Sequence, residues 1–379
     1  MASSPAAVRP VPLPPITDPT APAAPGALDR LVDAWSRDRL VDPRDVVFPR
    51  LLARVALQVA PLTVALYLVP TWAVAVAAVP YLAWVFGRFG GPVMLTLHAV
   101  THRPLFSRRL RGLDRVFTHV LPLFLGLPPF AYRAHHVMMH HTENNGVDDL
   151  SGTIAYERDN LRHFAHYWLR FALFGYFHMQ SWLDRRQKPG VFLRLAVGDL
   201  ACIAAVGALF WLNPAATAVV FLIPFCLMRV FMMIGTWTEH AFVDVDAPTN
   251  SYRNSTCLLN TSYNHNAQNS GYHLIHHLKP GLHWADTVGT FEKHLPRMVA
   301  EDAIVFSGVQ NNQQIWWRLM RHDYGFLADR LVDIGGRRPT REEKIAFLQE
   351  RVRRTAGRRK GLLERVEAAS GTPAVALAD

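Results

Sequence analysis

Apolar residues gather along the chain in four long runs, and the runs come in two pairs joined by turns without charge. Residues 51–70, LLARVALQVAPLTVALYLVP, meet residues 71–86, TWAVAVAAVPYLAWVF, at Pro70-Thr71. Residues 195–212, LAVGDLACIAAVGALFWL, meet residues 215–237, AATAVVFLIPFCLMRVFMMIGTW, at Asn213-Pro214. Each run approaches the roughly 20 residues that carry a helix across a bilayer. The pattern predicts two helical hairpins and four spans. Two further apolar stretches, 116–132 and 164–182, are broken by His, Arg or a Pro pair, so they read as interfacial or re-entrant helices.

The ends of the chain carry other patterns. The first 27 residues are rich in Pro and Ala and have neither a basic leader nor a continuous apolar core, which argues for a flexible tail rather than a cleavable signal. Near the other end, REEKIAFLQERVRRTAGRRKGLLERVEAAS sets apolar positions among charges at helical spacing, as a soluble or surface-lying helix does. The expected organisation is a tail over 1–27, a membrane domain over 28–335, and a charged C-terminal helix and tail over 336–379.

Composition narrows the class. The chain of 379 residues is 50% hydrophobic with a formal net charge of +10. Its basic residues stand beside the apolar runs and not in an aromatic-interleaved groove, so the acidic partner they imply is a membrane surface and not a nucleic acid. Arg44 and Arg50 precede the first run and Arg54 stands in its first turn; Arg88, Arg103, Arg108, Arg109 and Arg111 follow the second; Arg185, Arg186, Lys188 and Arg194 precede the third. Positive charge is retained on the cytoplasmic side, which puts both termini and the middle segment there. Cys202, Cys226 and Cys257 have no paired spacing and imply no disulfide framework. Asp199 and Arg229 fall inside the third and fourth runs, where a charge costs about 2.5–3.5 kcal/mol at a helix centre, so they are expected to face the interior and pair.

The chemistry lies in the histidines. His98 and His102 stand four apart in HAVTH; His136, His140 and His141 repeat that step in HVMMHH; His273, His276 and His277 give steps of three and four in HLIHH. On a helix such steps project imidazoles from one face. His240 follows the fourth run directly. Two helical histidines on a polar face are ordinarily solvated, but three such boxes at one membrane face call for another explanation. Neutral imidazole binds Zn, Cu, Fe or Ni, and eight or nine ligands exceed one ion and fit two. Glu143, Asp148, Asp149, Glu239 and Asp244 lie close enough in sequence to orient ligand rings through their second nitrogen. His135, His265 and His283 fall outside the spacing and read as supporting or structural residues. Phe106, Phe130, Tyr132, Trp237, Tyr263 and Tyr272 are candidates to wall a substrate tunnel.

HAVTH, HVMMHH and HLIHH, in that order relative to two hairpins, resemble the histidine boxes of the membrane fatty acid desaturase and hydroxylase superfamily over residues 51–297. The DDLS after the second box and the HLIHHLKPGLHW context are similar to desaturases in particular. The resemblance implies an all-α integral membrane protein with a cytoplasmic histidine-rich cap. It also implies two irons held by His98, His102, His136, His140, His141, His273, His276 and His277, with His240 as a further ligand, and dioxygen as co-substrate. No haem-binding motif is fused to the chain, so electrons would come from a separate ferredoxin, rubredoxin or cytochrome b5-type partner. A fatty acyl desaturase is the reading favoured. The three residues between the first two histidines of the second box, and Glu239-His240, are similar to alkane hydroxylases and keep a lipid hydroxylase as the alternative. A histidine-rich metal transporter would need ligands facing one another within the spans; here they lie outside them.

Overall fold

The computed structural model describes residues 12–353 apart from 147 and 248. Helices over Pro43–Leu68, Thr71–His102, Pro189–Leu212 and Pro214–Glu239 are long and apolar enough to cross a membrane, and they form the two expected hairpins. At the second tip Asn213 accepts a hydrogen bond from the Ala216 amide at 3.0 Å, while Pro214 takes the first turn, where its missing N–H costs nothing. Trp72 and Trp211, 71% and 92% exposed, stand beside the two tips, the position indoles take where apolar helices meet headgroups. Leu57, Val64, Leu68, Val76, Val79, Val197, Leu200 and Ile203 are exposed along the spans, because lipid and not water is their solvent. The chain is an integral membrane protein.

Between the hairpins, residues 116–125 form two short turns, Val116–Val120 and Leu121–Leu125, that lie against the middle of the fourth span. Gly126, at φ +70°, makes this possible: a Cβ there would stand 2.4 Å from the Phe225 amide nitrogen and 2.6 Å from the Phe221 carbonyl oxygen. Irregular backbone at membrane depth persists only where protein covers it, and the segment is re-entrant in that sense. The stretch 164–182, expected as an interfacial or re-entrant helix, lies within a single helix of 25 residues, Leu161–Arg185. It buries Phe164, Tyr167, Phe171, Met179 and Trp182 and exposes Leu169, Leu173 and Phe177, an apolar outer face suited to a membrane boundary.

The expected Asp199–Arg229 ion pair does not form among the described residues. Arg229 instead lies over the Phe225 ring, 4.0 Å from its centroid, and 5.9 Å from that of Phe171. An aromatic face offers the guanidinium an alternative partner.

After the fourth span the chain builds a cap on a small addition to the all-helical plan. Thr256–Leu259 pairs in parallel with Ile304–Ser307, Thr256 opposite Ile304. Alternate residues face opposite ways: Cys257, Leu259 and Val305 join Leu274, Ile275, Phe291 and Met298, whereas Leu258, Ile304 and Phe306 join Ile315, Leu319, Leu327 and Leu348. Residues 12–26, expected as flexible tail, are in part docked on this cap. Leu13 and Ile16 pack against its core, and buried Asp18 accepts hydrogen bonds from the Tyr272 hydroxyl at 2.7 Å and the Asn260 amide at 2.9 Å; a buried phenol needs such a partner. Residues 1–11 lie outside the described residues. At the other end Arg341–Val352 is a helix with a Thr340–Glu343 capping box, and the rest of the expected C-terminal helix, 354–379, lies outside the described residues.

The re-entrant turn generates a prediction. Gly126→Ala adds a strained positive φ to a backbone clash and is expected to destabilise the protein by about 2–4 kcal/mol, read as a lower unfolding midpoint in detergent. Gly207→Ala, with nothing within 4 Å of the added carbon, should leave the midpoint unchanged. Equal midpoints would contradict the close approach.

Candidate metal centre

Four separate segments deliver histidines to one place. His98 and His102 occupy the last two turns of the second span, and His240 follows the last turn of the fourth. His273, His276 and His277 lie on the short helix His273–Leu278, whose Leu274 and Ile275 are fully buried in the cap. The register of that helix is fixed just before it begins, where the Leu258 amide donates to the Gly271 carbonyl at 2.8 Å and a Cβ on Gly271 would strike Asn264 Oδ1. The second box lies on a π-helical stretch, Arg133–His140. A π-helix relates residues five apart rather than four. His136 therefore meets His141, with Nε2 atoms 3.2 Å apart, and His140 turns elsewhere.

The imidazoles sort into two sets, in each of which one nitrogen per ring lies within 4.8 Å of all the others: His98, His102, His136 and His276; and His140, His240, His273 and His277. His141 stands at the junction, 2.9 Å from His276 and with ring centroids 4.7 Å from His102 and 4.9 Å from His277. The expectation that each box projects its imidazoles from one face is corrected for the second and third boxes. The first box serves one set, but the second and third are each divided between the two sets.

The contacts inside the sets overload the nitrogens that make them. His276 Nε2 lies 2.8 Å from His98 Nε2 and 2.9 Å from His141 Nε2. His273 Nε2 lies 3.1 Å from His240 Nε2 and 3.0 Å from His277 Nε2. A neutral imidazole nitrogen has one proton or one in-plane lone pair, so it satisfies one such neighbour and not two. His102 Nε2 is buried with no hydrogen-bond partner at all. A cation resolves both difficulties: held about 2.1 Å from each nitrogen, it sets neighbouring nitrogens at right angles about 3 Å apart. The donor set fits a metal.

The outward nitrogens are held by other groups. His140 Nδ1 meets the buried Asp149 carboxylate at 2.6 Å, and His240 Nδ1 donates to the Asn254 carbonyl at 2.9 Å. A proton kept on Nδ1 leaves Nε2 with its lone pair turned inward. Burial, and then the closeness of the other rings, holds His136, His273, His276 and His277 well below the usual histidine range. The same causes push His240 down to about 3 and His141 to about 2. Neutral rings are the form a metal binds. His140 is the exception: burial opposes its charge, but the Asp149 carboxylate outweighs burial and raises it. Burial alone would raise Asp149, and His140 holds it below the ordinary carboxylate range.

Asp149 reaches His140 through a tight loop. Asn144 and Asn145 have φ of 48° and 63°, a conformation Asn tolerates better than most residues, and the Asn145 amide then donates to Asp149 Oδ2 at 3.1 Å. Asn145 Nδ2 also donates to Asn254 Oδ1 at 3.0 Å, tying this loop to the support of His240. Asn145 and Asn254 escape sequence reasoning: the ENNG turn is a visible signal for the first, and nothing in the pattern marks the second.

The other candidate carboxylates divide. Glu239 Oε2 lies 3.6 Å from His273 Nδ1. Glu143 instead accepts from Trp182 and Arg186, and Asp244 faces Arg253 and Arg351. Among the described residues no ion pair joins Asp148 to the histidines. His135 Nε2 lies 3.1 Å from Ser151 Oγ, which donates to Asp149. His265 is exposed on the cap, and His283 lies against Asp45.

A largely apolar cleft borders the centre through Tyr132 and His135 and runs between Leu127, Ala131, Phe171 and Met179. Tyr132 stacks on His136, centroids 5.1 Å apart. Of the aromatic residues proposed as tunnel walls, Tyr132 lines this cleft; Phe106, Trp237 and Tyr272 are core.

Comparison with family models matches residues 70–306 to the one described as fatty acid desaturase, a stretch containing all nine clustered histidines. Comparison with curated proteins gives no match.

The Asp149–His140 contact carries a prediction. Asp149→Asn should weaken metal retention by about 10–100-fold in competition with a chelator, and Asp244→Asn should not. Equal retention by wild type and Asp149→Asn would contradict the role given to this carboxylate.

Proposed function

The chain belongs to the fatty acid desaturase family, and on that premise we propose that it is an oxygen-dependent membrane oxidoreductase acting as a fatty acyl desaturase. The observation that carries this reading is the overloaded set of buried Nε2 atoms beside an apolar cleft. In this reading His98, His102, His136, His141 and His276 hold one iron and His140, His240, His273 and His277 the other. The pair supplies dioxygen activation for removing hydrogen from an unactivated methylene.

The chain's own groups do the rest. Asp149 and the Asn254 carbonyl keep His140 and His240 in the tautomer whose Nε2 faces inward. Tyr132, Phe171 and Met179 line an apolar path that excludes water and holds an alkyl chain beside the histidines. Desaturation takes two hydrogens from adjacent carbons, two electrons from a donor and two protons from solvent, and reduces dioxygen to two waters. The donor is a separate ferredoxin, rubredoxin or cytochrome b5-type protein. Arginines at the histidine end of the spans support a cytoplasmic position for the centre and both termini.

Hydroxylation is the second reading, favoured by the three-residue interval in HVMMHH and by Glu239-His240. It differs in sending one oxygen atom into the product. Incubation with a labelled acyl substrate, oxygen-18 gas and a reconstituted donor separates the two. The expected product is an alkene with the label in water; a labelled hydroxyl without new alkene would establish hydroxylation instead.

A further inference from the structure

The cleft beside the histidines is not purely apolar. Asp199, from the third span, and Arg229, from the fourth, both line it together with Leu195, Met232 and Tyr176. Arg229 lies ten residues before Glu239 and Asp199 ten residues after Pro189, so both stand about 15 Å along their helices from the end that carries the histidines. Asp199 Oδ1 and Arg229 Nε are buried and have no hydrogen-bond partner. The guanidinium is held over Phe225 and near Phe171, which fixes its plane without using its N–H groups.

We propose that Asp199 and Arg229 form a polar subsite for an uncharged lipid whose hydroxyl or amide donates to the carboxylate and accepts from the guanidinium. The proposal rests on the reading of this cleft as the lipid site. One carboxylate and one guanidinium sum to no charge, so a neutral ligand leaves the subsite neutral, which an apolar membrane interior requires. A hydrocarbon satisfies neither group. A carboxylate ligand meets Arg229 but faces repulsion from Asp199 and brings an uncompensated charge. Only a group that both donates and accepts completes the two buried atoms. The substrate class that follows is a long-chain alcohol, hydroxylated lipid or N-acyl amide, with its polar group inside the cleft and not at the headgroup level.

The test measures binding, not turnover. Hexadecan-1-ol, hexadecane and palmitate are each titrated into the full-length protein in phosphatidylcholine nanodiscs, with metal content recorded in parallel. The alcohol should bind at least about ten-fold tighter than either other probe. The double variant Asp199→Leu/Arg229→Met should lose that preference and bind hexadecane as well as it binds the alcohol, at unchanged metal content. Equal binding of alcohol and hydrocarbon by the native protein would overturn the proposal, and so would a preference for palmitate. A preference for the alcohol that survives in the double variant would place its polar group elsewhere and overturn it too. Absence of binding by all three probes would remove the cleft as the lipid site, the underlying reading itself. The native protein's own ranking of the probes decides the matter should the double variant fail to fold.

Discussion

A buried imidazole nitrogen has a single proton or a single lone pair to share, and the centre of this protein presses nine imidazoles together where that capacity is exceeded. His273 and His276 each have two nitrogen neighbours at hydrogen-bond distance, and His102 has a buried nitrogen with none. Such an arrangement has no stable organisation among neutral rings alone. Much of the surrounding fold keeps the lone pairs aimed inward: Asp149 behind His140, the Asn254 carbonyl behind His240, Asn145 linking the two supports, and Tyr132 stacked on His136.

The two sets of histidines are coupled by the way the boxes divide. Because the second box lies on a π-helical stretch, His136 and His140 go to different sets although they stand four apart in sequence, and the third box divides in the same way. Neither set can move without the other. The cap reinforces this from outside the membrane. The strand Thr256–Leu259 fixes the third box, and Asp18 satisfies the buried Tyr272 hydroxyl next to His273. The membrane spans therefore supply one edge of the centre, and the cap closes it.

The hairpins and the histidine cluster were legible in the sequence for physical reasons. Lipid as a solvent demands long apolar runs, and metal ligation demands particular residue types in quantity, so both leave marks that survive without tertiary information. The division of the second box was not legible, because the reading assumed an α-helical period. The docking of residues 13–18 was hidden as well: the bond from Tyr272 to Asp18 crosses 254 residues of sequence, and local composition registered only Pro and Ala. The helix Leu161–Arg185 was legible over 164–182, and the charges at its two ends hid its full length. The cost of Asp199 and Arg229 within the spans is legible in the sequence, whereas the cleft between their helices and the phenylalanine rings available to the arginine are tertiary features that the local pattern does not carry.

The central claim is that these nine histidines are metal ligands and that their two sets hold one ion each. Elemental analysis of the purified full-length protein addresses it directly, with protein quantified independently and folding checked in the same sample. About two irons per chain is the result this account predicts. A single zinc, or no bound metal in fully folded protein, would contradict it.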